Sequence, residues 1–162
     1  MRIEAQLATN LQALVLYDNE PDAIDAWAGA FAEYFKNAVT GMVLNVPILA
    51  DAIDGLAKPA MVGGMVGLST LGAQAIQNGI SLFWAQMIAS PPLFFPAATL
   101  IVMAPGVTGI EAALQPIFDL NKNEEADKNT AMQRIAQVIH AQNAGGTATF
   151  PGVPNPIVET IL

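Results

Sequence analysis

The chain contains no cysteine, one histidine, and six lysines and arginines in 162 residues. The first absence removes disulfides and thiolate metal sites. The single His140 cannot by itself supply a catalytic triad or a transition-metal centre, and it reads as a helix-face residue near a C-terminal helix end. The basic residues stand singly at Arg2, Lys36, Lys58, Lys122, Lys128 and Arg134 against fourteen acids, giving a net charge of −8. With no basic patch to neutralise phosphates, nucleic-acid binding is not expected. Charged residues make up only 12% of the chain, about half the roughly 25% of an average soluble domain. From Pro59 to Ile110 there is no charged residue at all. A chain so poor in surface-forming residues is expected either to enter a membrane or to bury part of its outside against other proteins. The start, MRIEAQLATNLQAL, has Glu4 early and no long apolar run, so no signal peptide is expected.

Helical spacing dominates what is present. Ile3, Leu7, Leu11, Leu14 and Val15 predict a helix over 3–16. YDNEPD breaks it, with Asp18 or Asn19 as the next cap and Pro21 in the first turn. From about Asp22 to Val43, Ile24, Trp27, Ala28, Phe31, Phe35, Ala38, Val39 and Met42 form one apolar stripe, with Asp25, Glu33, Lys36, Asn37 and Thr40 off it. A shorter helix is predicted at 47–57 and a long, nearly all-buried one from about Met61 to Ala89. There Gly63, Gly67, Leu71, Ala75 and Gly79 stand four apart and would line one face with small residues. PPLFFPAATLIVMAPGVTG carries Pro91, Pro92, Pro96 and Pro105, so it is expected to be irregular and extended. Helices at about 108–118 and from an Asn123 cap to Gly145 complete a single all-α domain of about five helices over 1–145. Residues 146–162 hold Pro151, Pro154 and Pro156 and are expected to form an extended C-terminal arm.

The uncharged run SLFWAQMIASPPLFFPAATLIVM could suit a bilayer. Three features oppose that. Gln74, Gln77, Asn78, Ser81 and Gln86 would need partners inside a membrane bundle. The apolar part of 93–104 is about a dozen residues, where roughly 20 are needed to span. No basic cluster flanks it. The run is therefore expected to pack on protein. The interface expected from sequence comprises Gly63, Gly67, Ala75 and Gly79, with Phe94, Phe95, Phe150, Pro151, Pro154, Pro156, Ile157, Val158, Ile161 and Leu162.

Candidate chemistry has plainer explanations. Asp119-x-Asn121-x-Asn123 resembles the opening of a calcium loop, but Glu124 stands where Gly should make the turn and Thr130 where a bidentate Glu belongs. Asp18, Glu20, Asp22 and Asp25 read as helix capping and solvation rather than as an acid/base pair. Gly63-Gly64 and Gly145-Gly146 lack the context of a phosphate loop. Trp27, Phe31, Phe35, Phe83 and Trp84 read as core. No enzymatic activity, cofactor or metal is expected.

The order of features also carries a resemblance. DAIDAWAGAFAEYF comes first, then a Gly/Ala-rich middle helix followed by Pro-Pro, then AMQRIAQVIHA and the ending GGTATFPGVPNPIVETIL. This resembles a family of small virion proteins encoded in the structural modules of tailed bacteriophages, which often end in a Gly-Thr-Ala-Thr turn and a short Pro-rich tail. The departure is IVETIL, where a more aromatic ending is usual. The resemblance implies a structural component of the virion, in the tail, neck or baseplate, made in the host cytoplasm. Its partners would be copies of itself and other virion proteins, and the family brings no catalytic residues. The alternatives are a membrane-inserted helical hairpin of the holin type and a soluble helical module that binds an apolar ligand.

Overall fold

The computed structural model describes residues 4–36, 53–89, 93–94, 98–99, 101–103, 109–122, 127–142, 147–150 and 157–160. The fold is mostly helical. Five helices have nine residues or more: α1 (Glu4–Gln12), α2 (Glu20–Lys36), α5 (Ala73–Ala89), α6 (Ile110–Lys122) and α7 (Lys128–Gln142). Between α2 and α5 lie a π-helical turn, Ile53–Ala57, and two short helices, α3 (Lys58–Gly64) and α4 (Leu68–Leu71). The helical bundle expected from the apolar periodicity is therefore present.

Local chemistry sets the helix starts. Asn19 caps α2: its Oδ1 accepts the Asp22 N–H at 2.9 Å, and its Nδ2 donates to Asp22 Oδ2 at 2.8 Å. The first four N–H groups of a helix have no intrahelical partner, and this pairing satisfies one of them. The last long helix starts later than expected. Asp127, not Asn123, lies at its described start: its carboxylate accepts both the N–H and the hydroxyl of Thr130. Those bonds hold the Asp127 carboxyl below its ordinary pKa. The expected start at Asn123 and end at Gly145 fall outside the described residues. Helix α6 continues past Pro116 to Lys122. Pro116 and Ala112 are both exposed, so the carbonyl left without a proline N–H partner can turn to water.

The predicted single helix from Met61 to Ala89 is broken. Gly67 has φ +85° and Gly72 φ +46°, a left-handed backbone that glycine enters without a Cβ clash. These two residues turn the chain so that α3 packs against α5. Gly63, Gly67, Ala75 and Gly79 consequently do not share one helix face. Nor is α5 buried on nearly all sides. Ile76, Ile80, Phe83, Trp84 and Met87 are buried, while Gln74, Asn78, Leu82, Ala85 and Ala89 form an exposed stripe at helical spacing. The amides that argued against a bilayer lie on this stripe or beside it.

The core sits where α2 meets α5. Phe35 stacks on Phe83 with centroids 4.6 Å apart, and Trp84 meets both rings edge-on. Offset and edge-to-face contacts add about 0.5–1.5 kcal/mol per pair beyond area burial. Around this cluster, α1 contributes Leu7 and Leu11, α6 Ile110 and Leu114, and α7 Ile135 and Ile139. Helix α1 packs on α7 and α2, and α6 bridges α5 and α7.

In the proline-punctuated region the described residues of 93–103 form strands, while Pro91, Pro92, Pro96 and Pro105 lie outside the described residues. Strands β1 (Leu93–Phe94) and β2 (Ala98–Thr99) pair antiparallel. The described residues of the C-terminal region are strands too, and they pair within the chain. β3 (Ile101–Met103), β4 (Thr147–Phe150) and β5 (Ile157–Thr160) form an antiparallel sheet in the order β3-β4-β5. Pro151, Pro154 and Pro156 all fall between β4 and β5, and β5 is an edge strand. Proline lacks the N–H that a ladder needs, so its exclusion from these strands is expected.

Candidate functional site

The interface residues expected from sequence are scattered by the fold. Gly79 is buried on α5 against α3: a Cβ there would lie 2.5 Å from Met65 Cγ and 3.0 Å from the Met61 carbonyl oxygen. Ala75 is also buried on α5. Gly63 is exposed, with nothing within 4 Å of a Cβ, and Gly67 lies in the turn. The close approach is made instead by Gly64, where a Cβ would lie 2.8 Å from the Asn78 carbonyl oxygen and from Gly79 Cα. The small-residue contact is thus intramolecular, between α3 and α5. Phe94 lies on β1, Phe150 on β4, and Ile157 and Val158 on β5. Phe95, Pro151, Pro154, Pro156, Ile161 and Leu162 lie outside the described residues.

One polar contact unites residues that the sequence left apart. Tyr34 is fully buried, and its hydroxyl lies 2.8 Å from His140 Nδ1. The rings meet edge-on at 6.2 Å. This pair joins α2 to α7 across a separation of 106 residues. Nothing in either local pattern announces it, although a tyrosine on an apolar stripe needs a partner for its hydroxyl. Its plain effect is to fix the rotation of α7 against α2.

A second polar link joins α2 to α4. Glu20 Oε1 accepts the Ser69 N–H at 3.0 Å and the Ser69 hydroxyl at 2.9 Å. The backbone bond and then the hydroxyl hold the Glu20 carboxyl below its ordinary pKa. Ion pairs Lys58–Asp25 (3.0 Å) and Lys36–Asp54 (2.8 Å) tie α2 to the segment 53–64. Asp119 lies on α6 and takes the Gln115 amide at 2.9 Å, which is a helix-surface contact rather than the opening of a calcium loop. Among the described residues no group of three or more His, Asp or Glu is placed to hold a metal ion.

Two surface depressions flank α6. One of about 320 Å³ is lined by Gln77, Gly109, Glu111, Ala112 and Gln115, and one of about 380 Å³ by residues of 68–73 with Gln115, Phe118 and Asp119. In the first, Gln77 Oε1 already accepts the Glu111 N–H at 2.9 Å, capping the start of α6. Both open to solvent and have mixed polar and apolar walls, unlike the enclosed apolar cavity expected for a lipid-like ligand.

The loop between α1 and α2 carries the most exposed large apolar residue of the described chain, Leu16, next to a well-exposed Val15. Val15 is 66% exposed and Leu16 fully so. The loop is held there. Lys128 Nζ donates to the Gln12 carbonyl at 2.9 Å and to the Leu14 carbonyl, and Gln12 Nε2 donates to the Asn129 carbonyl at 3.2 Å. The cation occupies the negative end of α1, where it satisfies carbonyls that the helix leaves open. A fixed backbone thus presents two adjacent large apolar side chains to water. Leu56, Val66, Leu71 and Leu82 are further large apolar residues between 44% and 68% exposed.

No protein-family model matches the chain, and no curated protein or solved structure matches it.

Proposed function

We propose that this protein is a structural component of a tailed-phage virion, in the tail, neck or baseplate, which works by packing against copies of itself and other virion proteins. The observation that carries the reading is the α1–α2 loop, with Val15 and Leu16 held in solvent by Lys128. An isolated domain gains nothing by pinning two apolar side chains outward, whereas an assembly recovers roughly 25 cal/mol for each Å² of apolar surface it covers. The scarcity of charge and the resemblance of the sequence order point the same way. Against the holin-type alternative, no helix among the described residues is long and apolar enough to cross a membrane.

The test is mass spectrometry of purified particles, with the full chain compared with Leu16→Asp. The expected result is wild-type protein in the particle, and a variant that keeps its helical circular dichroism but is depleted from particles. Wild-type protein absent from the purified particles, or found only in the host membrane fraction, would sink the reading.

A further inference from the structure

The C-terminal hairpin is attached to the helical body in an unusual way. Strands β4 and β5 close on each other through four register pairs, from Thr147↔Thr160 to Phe150↔Ile157. β4 joins the rest of the chain through three more: Ile101↔Thr149, Val102↔Ala148 and Met103↔Thr147. Among the described residues β3 packs on α5, but no helix packs extensively on β4 or β5. Among the described residues the hairpin is therefore a self-paired unit whose backbone pairing to the rest of the chain runs through the three-residue strand β3. Three backbone pairs on a narrow sheet make a weak anchor when no helix covers the added strands.

From these contacts we infer that the β4–β5 hairpin is an exchangeable unit, which docks on β3 of a second copy of this chain in the same register that it adopts on its own β3. The inference rests on the assembly reading above. The acceptor is identified by the structure itself: a second copy offers a β3 with the same backbone donors and acceptors, so exchange loses none of the pairings seen within one chain. The covalent connection sets the geometry. The five residue steps from Gln142 to Thr147 span at most about 17 Å, so the accepting β3 must lie within that distance plus one strand spacing, about 5 Å, of the donor's α7 end. Each docked hairpin keeps β5 at the outside, so the linkage passes from one chain to its neighbour through β3 and β4 alone.

The natural absence of cysteine makes the test direct. Neighbouring antiparallel pairs alternate between hydrogen-bonded and non-hydrogen-bonded geometry. At least one of the three β3–β4 pairs is therefore of the closer kind, with Cα atoms about 4.5 Å apart and within disulfide reach. Single-cysteine full-length chains are co-expressed in three matched sets: Ile101→Cys with Thr149→Cys, Val102→Cys with Ala148→Cys, and Met103→Cys with Thr147→Cys. Val102→Cys with Glu159→Cys is the control, because those positions are two strands apart, about 9–10 Å. After mild oxidation, denaturing electrophoresis should show a species of twice the chain mass for at least one matched set and none for the control. In parallel, each pair of cysteines placed in one chain reports docking within that chain. Closure within one chain together with no dimer-mass species in any matched set would overturn the exchange. If that occurs while the unsubstituted protein still enters particles, the assembly reading stands and the hairpin is not its link.

Discussion

Two adjacent glycines should respond to the same substitution with opposite signs. Gly63 and Gly64 end α3 side by side, but only Gly64 faces α5. A Cβ at Gly64 would lie 2.8 Å from the Asn78 carbonyl oxygen, 2.8 Å from Gly79 Cα and 2.9 Å from the Asn78 carbonyl carbon. All three are backbone atoms in the middle of a seventeen-residue helix, so no side chain can swing away, and α3 must shift as a body. Overpacking of this kind costs about 1–3 kcal/mol. The helix-propensity gain from Gly to Ala is at most about 1 kcal/mol and smaller at a helix end, so the clash wins. At Gly63 a Cβ meets nothing within 4 Å, and only the gain remains, about 0.4–1 kcal/mol. In a chain of this length 1 kcal/mol moves Tm by about 2–4 °C. Gly64→Ala should therefore lower Tm by roughly 2–8 °C and Gly63→Ala raise it by roughly 1–4 °C. Differential scanning calorimetry on the two variants decides the matter. Equal shifts of the same sign would refute the contact between α3 and α5 at Gly64.

Gly67→Ala should destabilise by about 1–2 kcal/mol because of its left-handed φ rather than a helix contact, with Gly67→Asn milder; equal urea midpoints for all three proteins would contradict the turn. Tyr34→Phe should cost about 0.5–1.5 kcal/mol through loss of the bond to His140, with helical content unchanged; an unchanged melting temperature would mean that the pair contributes nothing to stability. Glu20 and Asp127 both have lowered folded pKa values, so their contribution is present above the ordinary values of 4.5 and 3.8 and is lost as pH falls through the lowered ones. Glu20→Gln with Asp127→Asn should flatten the acid side of a Tm-versus-pH profile below about pH 4.5 and leave the neutral side parallel to wild type. Deleting residues 150–162 should leave circular dichroism of the helices nearly unchanged while depleting the protein from particles. Equal incorporation of the truncated and full-length chains would remove the C-terminal region from the assembly contact.

The helices were legible where a residue's role follows from its immediate neighbours. Asn19-Glu20-Pro21-Asp22 reads as a helix start and is one, because a cap is chemistry within four residues. Phe31, Phe35, Phe83 and Trp84 read as core at helical spacing; all four are buried, and the last three meet. Gly67 was misleading because glycine four residues from its neighbours fits two opposite uses, a small helix face or a break in the helix. Spacing does not distinguish them, whereas φ does. Gly64 was hidden by the same ambiguity, since Gly63 fitted the period and Gly64 did not. The sheet was missed for another reason. Strands of three or four residues separated by 43 positions, Met103 to Thr147, leave no periodic trace, and proline content alone marked their surroundings as extended. The Tyr34–His140 contact likewise arises from how the helices dock, and no local pattern encodes that a buried tyrosine on α2 will reach the histidine of α7.

The charge balance limits how such chains can meet. Each copy carries a net charge of −8, so like copies repel at distances up to the screening length, about 8 Å at physiological ionic strength. The lysines whose partners are visible do not offset this between copies. Lys36 and Lys58 are engaged with acids of their own chain, and Lys128 with its own carbonyls. Complementary charge is therefore a poor candidate for the attraction between identical subunits. What remains is contact that does not depend on net charge: apolar side chains such as Val15 and Leu16, and backbone pairing such as that between β3 and β4. Both are short-ranged, so they act only after close approach. On the proposed assembly reading, copies would repel in dilute solution and join only where a growing particle holds them close enough for such contacts to form.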